Sequence, residues 1–113
     1  MLNMLTKIFS AKQSSLNAKL IGVAGFTGIG TVDYTGYATN HSDLSVKVKG
    51  IAGLKAALHL NDKHLADLTI KNGRIYMFAD SRQGENIPAL TEGDRVAIHQ
   101  NGDVVLEGIL TNH

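Results

Sequence analysis

Five histidines, His41, His59, His64, His99 and His113, are the side chains of this 113-residue sequence best suited to proton transfer or metal ligation. His59 and His64 flank Asn61-Asp62-Lys63. A hairpin closed through that turn sets the two imidazoles across from one another with Asp62 beside them. Two imidazoles and a carboxylate form a conceivable ligand set for a divalent metal. The spacing supplies no third ligand and no His-Glu-x-x-His pattern, so a solvated hairpin tip is expected and no metal or cofactor is assigned.

The carboxylates Asp33, Asp67, Asp80, Glu85, Glu92, Asp94, Asp103 and Glu107 are scattered over turns and outward strand positions, where solvated charge is the ordinary outcome. None is assigned as catalytic. Gly22, Gly25, Gly28 and Gly30 (GVAGFTGIG) have the density of a phosphate loop, but a dinucleotide fingerprint requires a helix after the glycines. The segment that follows, TVDYTGYAT, reads as a strand. A hairpin or bulge is expected instead, with Gly25 to Gly28 leaving backbone open to close approach. Lys47, Lys49 and Lys55 form a loose basic cluster, read as protection of an outward sheet face or edge.

The elements that position these residues are legible from periodicity. Leu2, Leu5, Ile8 and Phe9 recur at helical spacing and predict a short amphipathic N-terminal helix or arm over residues 1–14. From residue 15 onward the pattern is period two, interrupted by Gly, Asn and Asp, which predicts a single β domain over 15–113. About eight short antiparallel strands follow: 16–23, 29–38, 44–49, 54–60, 64–70, 74–80, 95–100 and 104–110. Asn72-Gly73 and Asn101-Gly102 favour the positive φ pair of type I′ hairpin turns.

Two segments lack an obvious local role. Ile75 to Ala79 is apolar on both faces, so its strand is expected to be central or to carry Tyr76 and Phe78 toward a partner. Ser81 to Gly93 is a long irregular loop holding the sole proline, Pro88, and the polar residues Arg82, Gln83, Glu85 and Asn86. It is read as a crossover between two sheets and, with Phe26 of the earlier glycine loop, as a ligand-contact candidate. The fold expected is all-β, a sandwich or a barrel.

Composition narrows the function classes. Eleven basic against ten acidic residues leave a formal charge of +1, which predicts no whole-molecule field for nucleic acid or anionic lipid. Three Phe, three Tyr and no Trp offer few stacking platforms for single strands. No nucleic-acid partner is expected. Without cysteine there is no disulfide framework, thiolate metal site or Cys nucleophile. No segment reaches the roughly 20 apolar residues of a membrane span. The start does not read as a signal peptide, so cytoplasmic residence is the default and an exported mature form the alternative.

From about Leu44 to the end, VKVKGIAG, LHLNDKHLADLTI, NGR, QGENIPALTEGDRVAI and NGDVVLEGIL together resemble the small chordin-like (CHRD-type) β-sandwich modules of bacteria. The resemblance implies a fold and no activity, and the chain departs from it in lacking a His-x-His segment. The leading functional expectation is a non-catalytic module for binding or self-assembly, as a homo-oligomer or within a larger protein assembly. Leu2, Leu5, Ile8, Phe9, Tyr76 and Phe78 are its interface candidates. A small-ligand binder and a metal-dependent hydrolase are the alternatives.

Overall fold

The structure is a computed structural model and describes residues 12–38 and 40–113. Nine strands form it: β1 (Lys12–Gly22), β2 (Ile29–Tyr37), β3 (Ser42–Lys49), β4 (Lys55–Leu60), β5 (Lys63–Thr69), β6 (Arg74–Asp80), β7 (Arg95–Gln100), β8 (Asp103–Ile109) and the two-residue β9 (Thr111–Asn112). A single 3₁₀ turn, Ser81–Gln83, follows β6. The proposed helix falls largely on residues 1–11, outside those described, together with Leu2, Leu5, Ile8 and Phe9. Its last positions, Lys12 to Ser14, belong instead to β1, which pairs with β2 from Lys12 onward.

All the strands hydrogen-bond into one antiparallel sheet with the order β5-β4-β7-β8-β1-β2-β3-β6, and β9 pairs with β1 beside β8. The two terminal strands, β5 and β6, are consecutive in the chain and joined only by Ile70 to Gly73. The sheet therefore curls until its ends meet, giving a nearly closed barrel. Closure follows from alternation. In β3, Leu44, Val46 and Val48 are buried while Lys47 and Lys49 are exposed, and a sheet with one such apolar face must wrap around it. The resulting core is continuous and includes Leu20, Val32, Leu58, Val96, Ile98, Leu106 and Leu110.

The turns behave as their residues require. Asn61-Asp62, Asn72-Gly73 and Asn101-Gly102 all have positive φ at both positions, the I′ signature that matches the twist of paired strands. Lys55–Leu60 is a strand despite its helix-forming composition, because β5 and β7 flank it on both sides. Leu54 stands outside that strand and is exposed, so it does not share the buried face of Ala56 and Leu58. The strand Arg74–Asp80 is not central: β6 ends the hydrogen-bonded order. Its doubly apolar character divides into Ile75 and Ala79 facing the core and Tyr76 and Phe78 facing outward.

The barrel has two distinct ends. At one, the connections β1–β2, β3–β4, β5–β6 and β7–β8 are laced together. Thr27 Oγ1 donates to the Gly50 carbonyl (3.3 Å), Ile51 N to Gly73 O (3.2 Å), Ile70 N to Leu54 O (2.9 Å) and Gln100 Nε2 to Ala52 O (2.7 Å). At the other, the Ser81–Gly93 segment crosses from β6 to β7 and buries Leu90 in the core. The segment does connect distant strands, but within one sheet and not between two, because all the strands belong to a single curled sheet.

Candidate functional site

Register places outward side chains in rows across β1, β2, β3 and β6. One row runs Lys19, Thr31, Lys47, Tyr76 and the next runs Ile21, Ile29, Lys49, Arg74. Between them lies the inward row Leu20, Gly30, Val48 and Ile75, whose backbone forms the floor of a surface groove of about 680 Å³. Gly30 faces the core in that row. A Cβ there would stand 2.6 Å from the Lys47 carbonyl oxygen and 2.8 Å from the buried Val48 Cγ2, closer than real side chains approach, so the residue lets β2 and β3 pair closely beneath the groove.

The groove has a consistent chemistry. Ile21, Ile29 and Tyr76 are 62%, 54% and 70% exposed and supply its apolar surface. Lys19, Lys47, Lys49 and Arg74 line it, with no carboxylate among the lining residues. Lys47 Nζ sits 5.8 Å from the Tyr76 ring centroid, within cation–π reach. A second hollow of about 450 Å³ shares Ile29, Lys49 and Arg74 and continues to Gly28, Gly50, Asn72 and Gly73 at the laced end. The arrangement suits an occupant that is apolar over part of its surface and anionic over the rest. The nearest flanking carboxylate is Glu107, paired in register with Ile21, and its Oε2 lies 3.7 Å from Arg95 Nη1.

Lys47 and Lys49 were expected to guard an edge or face together with Lys55. They lie on β3, which is hydrogen-bonded on both sides, so edge protection does not apply to them. Lys55 is on β4, away from the groove.

The histidines form a second cluster. His59 and His64 do meet across the hairpin, with ring centroids 5.6 Å apart and edge to face. The third ring is His99 of β7, stacked on His59 at 3.7 Å and 7°. Sequence reasoning missed His99 because the pairing of Ala57 with His99 joins strands far apart in the chain. Its outward place in β7 was the only available signal.

His59 Nδ1 and His99 Nε2 are buried without hydrogen-bond partners, and burial, aided by His59 and then Arg95, pushes the His99 pKa down. Parallel rings direct their in-plane lone pairs along separate planes, not at one point. His64 is held by Asp67 (Nε2 to Oδ1, 2.9 Å), while Asp62 pairs with Arg95 instead of joining the rings. Among the described residues no group of three or more His, Asp or Glu is arranged to hold a metal ion.

The loop candidates separate. Phe26 is exposed at the laced end, whereas Arg82, Gln83, Glu85 and Asn86 lie at the opposite end. There Arg82 grips Asp80 with Nη2 to Oδ2 at 2.7 Å and a backbone N–H to Oδ1 at 2.9 Å, and Glu85 accepts from Asp80 N at 3.1 Å. The two Arg82 hydrogen bonds, side chain first, hold the Asp80 carboxyl at about 2. These contacts serve the turn and converge on no common space. Tyr76 does join the groove, and Phe78 continues its outward line along β6.

No protein-family model matches the chain, and no curated protein does.

Proposed function

We propose that this chain is a non-catalytic binding module whose recognition surface is the outward face of β1, β2, β3 and β6. The observation that carries this reading is the groove, in which four cations and three exposed apolar side chains share one surface with no lining carboxylate. Exposed apolar surface of this kind marks contact sites in folded proteins. The resemblance to chordin-like modules, which implies a β-sandwich, adds no chemistry to this reading.

An anionic apolar dye, 1-anilinonaphthalene-8-sulfonate, tests the reading directly. The native protein enhances its fluorescence, and the folded variant Ile29→Ser/Tyr76→Ala loses most of that enhancement. Equal enhancement by the variant contradicts the reading.

A second reading, self-association or assembly along β6, is favoured by Tyr76 and Phe78 standing exposed on a terminal strand. It predicts a concentration-dependent mass in light scattering that Phe78→Ser abolishes; a strict monomer at high concentration removes it.

A further inference from the structure

The near-neutral total charge conceals a segregation. The half of the barrel toward the laced end carries Lys19, Lys47, Lys49, Lys55, Lys71 and Arg74, against Asp67 of β5, Asp103 in the β7–β8 turn and Glu107 at the flank, with Asp33 midway along β2. The opposite end gathers Asp43, Asp62, Asp80, Glu85, Glu92 and Asp94, against Lys63, Arg82 and Arg95. Apolar side chains follow the cations. Ile21 and Ile29 flank the β1–β2 loop, Phe26 stands on that loop at 43% exposure, and Leu54 stands on the β3–β4 loop at 79%. The loops bearing them are fastened to their neighbours through Thr27 to Gly50 and Ile70 to Leu54, so these side chains are presented by a braced rim.

Resting on the outward-face reading above, we infer that this end of the barrel docks on an anionic phospholipid surface. Lysine and arginine heads near such a surface are attracted to the phosphate layer, and exposed apolar side chains between them enter the acyl boundary. Two other occupants fit less well. An extended peptide has only the outer edge of β6 to join, three strands away from Ile21 on β1, because β1, β2 and β3 are paired on both sides. A second copy would have to present its acidic end, where Asp80 is engaged by Arg82, Asp62 by Arg95, and Asp94 by Asn61 and Thr91.

Co-sedimentation of the full chain with vesicles decides the matter. Vesicles of phosphatidylcholine alone are compared with vesicles containing 30% phosphatidylglycerol, each at low and high salt. Binding to the anionic vesicles, weakened by salt and absent from phosphatidylcholine alone, is expected. In Lys47→Glu/Lys49→Glu it falls more than ~10-fold, since each cation near the surface contributes about fivefold. Phe26→Ser lowers it several-fold, and Lys63→Glu on β5 leaves it unchanged. Circular dichroism checks that each variant is folded, and the salt series on the parent protein stands without any variant.

Equal binding to both vesicle types, or binding that survives the charge reversal, overturns the inference. So does a dimer that the charge reversal dissociates while vesicles remain unbound. Retained dye binding without vesicle binding removes the lipid and leaves the face as a binding surface. Loss of both removes both.

Discussion

His99, with a ring nitrogen buried and unpartnered, and Asp80, buried and paired with Arg82, each tie stability to pH in their own window. Burial against His59 favours the neutral His99 ring, so its folded pKa lies below the unfolded value of 6.5. The unfolded chain then binds more protons as the pH drops below 6.5, and stability falls. Above that value the contribution is fully present. Urea midpoints are therefore expected to fall between pH 7 and 5.5, with a smaller fall in His99→Phe; identical pH profiles contradict the assignment. For Asp80, the folded pKa of about 2 lies below 3.8, so its contribution is present above pH 3.8 and drains away toward pH 2. Asp80→Asn is expected to lower the melting temperature at pH 7 and to flatten the acid limb between pH 4 and 2, as read by thermal scans.

The strands and turns were legible in the sequence because their signals are local. Period-two alternation located all eight of the longer strands to within a few residues, and Asn-Gly pairs located two of the hairpin turns. What was illegible is the set of pairings made by distant segments. The contacts of β4 with β7 and of β3 with β6 depend on how the whole sheet curls, and no local pattern encodes them. For that reason β6 was left as either central or partner-facing, His99 was left out of the histidine cluster, and β9 went unseen.

The turns also bring backbone close to backbone. A Cβ on Gly22 would lie 2.1 Å from the Phe26 carbonyl oxygen, so Gly22→Ala must shift the β1–β2 loop. We expect it to cost about 1–3 kcal/mol by urea unfolding. Leu58→Ala, at a fully buried core position, is expected to cost about 2–5 kcal/mol in the same measurement.

On the scale of the whole molecule, composition concealed the charge arrangement on which the proposed docking surface rests. A balance of eleven basic and ten acidic residues argued against a directing field, yet the register gathers Lys19, Lys47, Lys49 and Arg74 on one outward face of the barrel. Charge summed over a sequence carries no position, and only the sheet assigns one. No helix among the described residues is long and apolar enough to cross a membrane.

The same geometry sets where any partner with mixed apolar and anionic character should bind. Amide chemical-shift mapping with 1-anilinonaphthalene-8-sulfonate tests this most directly. The largest shifts are expected at residues 19–21, 29–31, 47–49 and 74–76, the strand segments that line the groove. Shifts concentrated instead in the Ser81–Gly93 crossover or around His59 and His99, with those four segments silent, would contradict the assignment of the outward face as the binding surface.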